Sequence, residues 1–473
     1  MDNKSSNFYS KILLSTGKYM VLKNIFMVVT GLFGIFIVRL LGPYEYGRYS
    51  LVWQLIGTIG PIISLGWMIT LSKFIPERTN FQEKSILYSQ SVSLVTILGV
   101  SLGLIFFFIS TPLAKYIPVE IRSMRLIFIV FILLTAWFNI SEGMFRGLGK
   151  FNGFTIIDGL RSNLGNALAI ILIVYGLRNY TSILFSNCLF SLIFIIGIGL
   201  YLKDYFHFTS LKLEPAVAKF AGTILAGQVL FLLMSSIDFI LLRILLKDPS
   251  QIGFYTAGIK IPTMIQSMLI TPLSIPFLYY FSHNDGLQSR EKIFEFGTKY
   301  LGLVFALMAL FFFSFSKETI LILLGKDYAN SILVLMFSSL SLFTLGFSTL
   351  FNPYFSSINK PYVPLYASCI TFISLFTCNL LLIPHFKSIG PAISTIISHT
   401  LQILTLCIFL SKTKMPFIKN FGLIAFNMAF SILIGVFVNR YLILPVFIIT
   451  TFATRLFTFK DIENLKKIIR RRE

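Results

Sequence analysis

The chain has 473 residues, of which 56% are hydrophobic and 12% charged, where a soluble domain carries about 25% charged residues. A mean hydropathy of +0.82 excludes soluble, disordered and fibrous classes, because a soluble domain of this size still exposes roughly a quarter of its unfolded-chain surface. Lys and Arg number 40 against 19 Asp and Glu, a net charge of +21. In so apolar a chain that excess points to cationic loops sorted to one side of a membrane, not to nucleic acid.

Fourteen apolar stretches lie near the ~20 residues that span a hydrocarbon core. They fall at about 20–41, 51–71, 86–111, 123–141, 154–175, 181–202 and 220–246, then 252–281, 300–316, 328–351, 362–383, 389–411, 417–438 and 441–459. Residues 1–19 are polar and lack a small-residue cleavage site, so the first stretch reads as a retained span. With the N-terminus in the cytoplasm and span ends counted with the adjoining loop, the cytoplasmic side holds 26 of the 40 Lys and Arg. The opposite side holds 10, and four (Arg39, Arg161, Arg243 and Lys260) lie within spans. This asymmetry places both termini inside. The expected fold is an all-α integral membrane protein of about fourteen transmembrane helices.

No connection exceeds about 17 residues, which leaves no room for an extramembranous catalytic domain or an attached ATPase. The phosphate-loop pattern GxxxxGK[ST] is missing as well, since Gly17-Lys18, Gly149-Lys150 and Gly325-Lys326 are followed by Tyr, Phe and Asp. Cys188, Cys369, Cys378 and Cys407 all lie inside spans without a CxxC pair, so neither disulfide nor metal is indicated. No catalytic residue, resident cofactor or enzyme activity is expected.

The chain repeats. Arg39 is followed by a short turn and Gly47-Arg-Tyr49, and Arg243 by a slightly longer turn and Gly253-Phe-Tyr255. Gly149-Lys150-Phe151 before the fifth span matches Asn359-Lys360-Pro361 before the eleventh at nearly the same offset. The domains read as a six-helix lobe over 1–210, a second over 211–411, two additional helices over 412–459 and a basic cytoplasmic tail over 460–473. Because six is even, the two lobes share one orientation, as parallel repeats do.

Charges within spans face a protein interior or a wet cavity. Arg39 and Arg243 lie near span ends, where snorkelling is the plain alternative to a binding role. Asp158 and Arg161, three residues apart in the fifth span, can pair with each other or meet a substrate. Asp238 and Lys260 flank the seventh turn at similar depth, which suits either an ion pair or a carboxylate that exchanges its partner for Na⁺ or H⁺. In the eighth span Lys260, Thr263, Ser267, Thr271 and Ser274 share an arc of roughly 80°, lining a water path or a hydroxyl-bonded helix seam. Pro262, Pro272 and Pro276 bend that helix. Gly143-x-x-x-Gly147 is a weak helix-packing signal, and His399 reads as a hydrogen-bonded packing residue.

Arg39-Leu-Leu-Gly-Pro-Tyr-Glu-Tyr-Gly-Arg-Tyr-Ser50 resembles the first-loop signature of the polysaccharide-transporter branch of the multidrug/oligosaccharidyl-lipid/polysaccharide exporter superfamily. Ser357-Ile-Asn-Lys-Pro361, Asn379-Leu-Leu-Leu-Ile-Pro384 and Ile389-Gly-Pro-Ala-Ile-Ser-Thr395 resemble its eleventh and twelfth spans, with Gly390-Pro391-Ala392 where relatives commonly have Gly-Ala-Ala. The resemblance implies two six-helix lobes facing a central cationic cavity. It also implies a flippase that carries undecaprenyl-diphosphate-linked oligosaccharide repeat units, O-antigen or a related surface polysaccharide, across the bacterial cytoplasmic (inner) membrane. Arg39, Arg161, Arg243, Lys260, Thr263 and Ser267 are then candidates for holding the substrate, and Asp238 with Asn379 for a coupling cation. Partners would be the lipid-linked oligosaccharide, membrane lipids, a polymerase and a chain-length regulator. A cation-coupled multidrug exporter and a peptidoglycan-precursor flippase are the alternatives within the superfamily. An integral-membrane glycosyltransferase or polymerase fits less well, for want of a large outer loop.

Overall fold

The computed structural model describes residues 3–112, 117–270, 287–358, 362–410 and 417–458, with 273, 277, 281, 360 and 461. For 3–20, 287–293, 356–357 and 417–419 the backbone alone is described. No strand occurs among the described residues. Contacts divide the chain into two compact units, Met1–Gly253 and Phe254–Glu473.

The first unit holds α1 (Asn3–Ile63), α2 (Trp67–Glu77), α3 (Phe81–Ile109), α4 (Val119–Arg122), α5 (Arg125–Gly147), α6 (Phe151–Val174), α7 (Tyr180–Tyr201) and α8 (Pro215–Leu246). Helix α9 (Pro249–Ile265) begins in it. The second unit continues with α10 (Leu287–Ser314), α11 (Ser316–Leu323), α12 (Ser331–Ser357), α13 (Tyr362–Phe386), α14 (Ile389–Leu410), α15 (Phe417–Phe437) and α16 (Ile443–Ala453). Among the described residues eleven helices are long and apolar enough to cross a membrane. The chain is therefore an all-α, multi-pass membrane protein.

Helix α1 accounts for two of the expected spans, parted at Gly42 (φ 75°, ψ 168°). Only glycine adopts that conformation without strain. Pro43 then opens the second segment, where its missing N–H costs nothing and its fixed φ suits a helix start. The stretch 42–50, expected as a connection, is thus helical almost throughout. The eighth expected span maps to α9 and a π-helical turn at Gln266–Ile270. Pro262, inside α9, cannot donate to the helical ladder. The fourteenth maps to a short turn at Arg440–Leu442 followed by the eleven residues of α16.

The two short repeats have structural counterparts. Lys150 N–H donates to the Phe145 carbonyl at 2.8 Å, and Lys360 N–H to the Phe355 carbonyl at 2.9 Å. Each is the six-residue closure that satisfies a helix C-terminal carbonyl. Asn359 and Pro361 of that motif lie outside the described residues, as do Thr271, Pro272, Ser274 and Pro276 of the eighth span. Gly143 and Gly147 are packing positions: a Cβ on Gly143 would meet the Met68 carbonyl oxygen at 2.6 Å, and one on Gly147 the Leu71 carbonyl oxygen at 2.8 Å. Small residues there let α5 lie directly on the backbone of α2.

Each unit has its own core. In the first, Trp67, Leu71, Ile75, Phe131, Phe145 and Met144 are almost fully buried. The second is built of aromatic rings, with Phe294 5.4 Å from Phe351 and 5.0 Å from Tyr354 between centroids. Many large apolar residues, Phe108, Phe231 and Ile373 among them, are exposed, as suits helices whose surroundings are apolar.

At one edge of the second unit Glu318 accepts from Arg440 (2.5 Å) and from the Tyr441 hydroxyl (2.9 Å). Burial opposes its ionisation, but a backbone N–H, Tyr441 and Arg440 together hold the carboxyl below its ordinary range. Its stabilising effect is therefore present above the unfolded carboxylate pKa of about 4.3 and disappears as the pH falls through the folded value. Glu318→Gln should lower stability in detergent by less than about 1 kcal/mol at neutral pH. Melting curves of the variant and parent should converge in acid.

Candidate functional site

In the first unit, charges cluster on α5 and α6. Asp158 Oδ1 accepts from Arg161 Nε at 3.1 Å and Nη2 at 2.7 Å. Arg161 Nη1 donates to Ser191 Oγ at 3.0 Å, and the guanidinium lies 4.5 Å from the Phe138 ring. The i, i+3 spacing on one helix brings this pair together, as the sequence indicated. The Asp158 side chain keeps 49% exposure while Arg161 keeps 18%. One helical turn from the end of α5, Glu142 pairs with Arg146. On the loop side of α6, Lys150 donates to the Tyr201 hydroxyl, which holds its ammonium above the ordinary lysine range.

Arg39 is exposed and makes no hydrogen bond or ion pair among the described residues. Arg243 differs from its sequence reading. It does not snorkel free: Nη2 donates to Glu120 Oε1 and Oε2 at 3.1 and 3.2 Å, and Nη1 donates to the Lys247 carbonyl at 2.8 Å. Glu120, which carries this network, was not singled out in the sequence. A single acid in a connection after Pro118 gives no periodic signal, and it is buried to 3% exposure beside residues distant in sequence, Arg48, Tyr180 and Arg243.

Asp238 is buried in α8, in the first unit, and has a polar interaction of its own. Lys260 is half-buried in α9 within the second unit. Thr263 donates to the Ile259 and Lys260 carbonyls, and Ser267 to those of Thr263 and Met264. Both hydroxyls thus bond their own helix. Asn379 is fully buried in α13, on a face with Thr371, Leu375 and Ile383. Between α13 and α14, Ser398 donates to Ser374 at 3.2 Å, and within α14 His399 pairs with Gln402. Asp158 and Arg161 are brought together; Asp238 and Asn379 belong to different units. Among the described residues no three His, Cys, Asp or Glu gather as a metal site.

The family model described as polysaccharide biosynthesis protein matches residues 12–281, and that of the lipid II flippase MurJ matches residues 179–462. Each spans more than half of the chain. The chain belongs to the polysaccharide biosynthesis protein family, in the lipid-linked flippase branch of the multidrug/oligosaccharidyl-lipid/polysaccharide exporter superfamily. No curated protein matches it in sequence.

Among solved structures, the lipid II flippase MurJ in an inward closed conformation aligns with a TM-score of 0.70 at 17% identity. That alignment covers 93% of this chain and 98% of MurJ. An inward-facing multidrug resistance MATE transporter gives 0.66 at 16% identity, covering 83% and 96%. A superfamily transporter from Pyrococcus furiosus gives 0.58 at 15%, covering 84% and 95%. At these identities the likeness is one of fold.

Proposed function

We propose that the protein flips undecaprenyl-diphosphate-linked oligosaccharide repeat units, for O-antigen or a related surface polysaccharide, across the bacterial inner membrane by alternating access. The single observation that carries this reading is the overlap of two flippase-branch family models that together run from residue 12 to residue 462. Physical chemistry fits it. A glycan and a diphosphate cannot cross hydrocarbon unaided, because each unsatisfied polar group there costs several kcal/mol. Arg161, a guanidinium inside the apolar part of the first unit, is suited to bidentate contact with phosphate oxygens. In this reading Arg161 and Lys260, with Arg39, hold the diphosphate, while Thr263 and Ser267 meet sugar hydroxyls. Arg243 joins them only when it leaves Glu120. Asp238 and Asn379 serve a coupling Na⁺ or H⁺. The lobes are 1–210 and 211–411, with 412–459 outside them and the tail 460–473 in the cytoplasm; a polymerase and chain-length regulator act downstream.

The match to the MurJ family model over 179–462 favours a second reading, a peptidoglycan-precursor flippase. Deletion separates the two. On the first reading the deletion strain loses surface polysaccharide and accumulates lipid-linked repeat units on the cytoplasmic face, with growth and cell wall intact. Normal surface polysaccharide in a strain without a second flippase overturns it. Rescue of a strain depleted of its lipid II flippase would establish the second reading.

A further inference from the structure

At one end of the first unit four connections are tied together around Glu120. Arg243, at the end of α8, holds both its carboxylate oxygens. Arg48 Nε lies 4.0 Å from Glu120 Oε1 and finds no hydrogen-bond acceptor among the described residues. Arg48 is otherwise held on its own side: Nη1 donates to Glu45 at 3.1 Å, and the guanidinium sits 4.2 Å from the Tyr180 ring. Glu45 in turn accepts from the Tyr180 N–H at 2.8 Å, and the Glu120 carbonyl accepts from the Tyr180 hydroxyl at 3.2 Å. These are the first, third, fifth and seventh connections between expected spans, so all four lie on one side of the membrane. With cytoplasmic termini that side is the outer face.

Beneath this cluster two helix starts cross, Pro43 to Gly47 and Pro249 to Gly253. A Cβ on Gly47 would run into the Pro249 carbonyl oxygen, and one on Gly253 into the Pro43 carbonyl oxygen. The two contacts are reciprocal and use the glycines of the Gly-x-Tyr repeat. Deeper still, Gln54 Nε2 donates to the Ser235 carbonyl at 3.0 Å, and Thr58 meets Ser236 hydroxyl to hydroxyl. From α8 the main apolar cluster of the unit takes Val217, near the helix's other end, and Phe239, Leu241 and Leu242 are buried outside that cluster. The second half of α8 thus meets α1 through hydroxyl and amide bonds, and α9 meets it through the glycine contacts. Arg243 ties α8 to Glu120 of α4, while Phe239, Leu241 and Leu242 of α8 are buried beside them.

We propose that this is the outer gate of the flippase and that Glu120 is its latch, exchanging Arg243 for Arg48 when the gate opens. The inference rests on the alternating-access reading above. A buried carboxylate stripped of its partner is strongly unfavourable, which would ordinarily lock such a gate shut. Here a second guanidinium stands 4.0 Å away on the side that Glu120 keeps, with an unused N–H. Glu120 is paired in both states, and the gate has two discrete positions without a stable half-open one.

The test uses the full chain with its four native cysteines replaced and Ser236→Cys as a probe, since Ser236 is fully buried against α1. A membrane-impermeant maleimide is added from outside intact cells. Arg243→Gln removes the closing pair alone and leaves Glu120 to Arg48, so it should raise labelling by at least about tenfold through population shift alone. Glu120→Gln removes the partner of both states and should raise it less. Arg48→Gln removes the partner of the open state, so it should label no faster than the parent and should lose transport. This opposition of sign is what a merely structural cluster would not produce. Equal labelling in all variants, or faster labelling in Arg48→Gln, overturns the proposal. So does a rise confined to inside-out vesicles. If Arg243→Gln fails to reach the membrane, Arg243→Leu carries the same comparison. Labelling needs no cargo, so the surface-polysaccharide assay in the deletion strain decides the flippase reading separately.

Discussion

Gly253→Ala should abolish transport and lower the stability of the detergent-solubilised protein, although it adds one methyl group. That methyl would sit inside the carbonyl oxygen of Pro43 and 2.8 Å from its carbon. Both are backbone atoms at helix starts, so neither can rotate away. The two helices must separate, at the 1–3 kcal/mol typical of overpacking, and the reciprocal contact at Gly47 is lost with them. Gly227→Ala is the control. It lies within α8 and its Cβ would meet nothing within 4 Å, so it should raise stability by up to about 1 kcal/mol through helix propensity. Thermal denaturation of the two variants in one detergent, with surface polysaccharide measured in complemented cells, checks both. A Gly253→Ala protein as active and as stable as the parent would mean that the crossing is not tight.

The second large effect concerns Arg161. Arg161→Gln should reduce flipping at least about tenfold, because a charge-assisted contact to a diphosphate is worth about 1.5–3 kcal/mol. The competing account is that Arg161 only neutralises Asp158, to which it is bonded at 2.7 and 3.1 Å. The double variant Asp158→Asn/Arg161→Gln separates them. It leaves no unpaired charge, so protein yield should recover while flipping does not. Recovery of flipping in the double variant would reduce the pair to a structural one. The half-exposed Asp158 keeps the stability term near 1 kcal/mol, small enough for the variants to be compared as folded proteins.

Much of the architecture follows from local chemistry. Apolar runs near twenty residues form helices wherever they occur in lipid, because no water is present there to satisfy the backbone. For the same reason the Asp158–Arg161 pair and the Gly143-x-x-x-Gly147 packing face could be read directly: their partners lie on one helix, or the motif needs only a neighbouring backbone. Gly42-Pro43 carried a helix break with a helix start that the apolar pattern alone smoothed into a loop.

Sequence by itself determined the membrane class, the order and rough extent of the helices, the recurrence of Arg39/Arg243 and Gly47/Gly253, and the pairing within α6. Only the tertiary structure decided what those repeated residues do. Arg243 is engaged by Glu120 across 123 positions of chain, and Gly253 is pressed on Pro43 across the same unit. Hydrophobic periodicity reports which face of a helix is buried, a property of the helix alone. A buried ion pair between distant segments is set by where two helix ends meet, and no local pattern of residues encodes that distance.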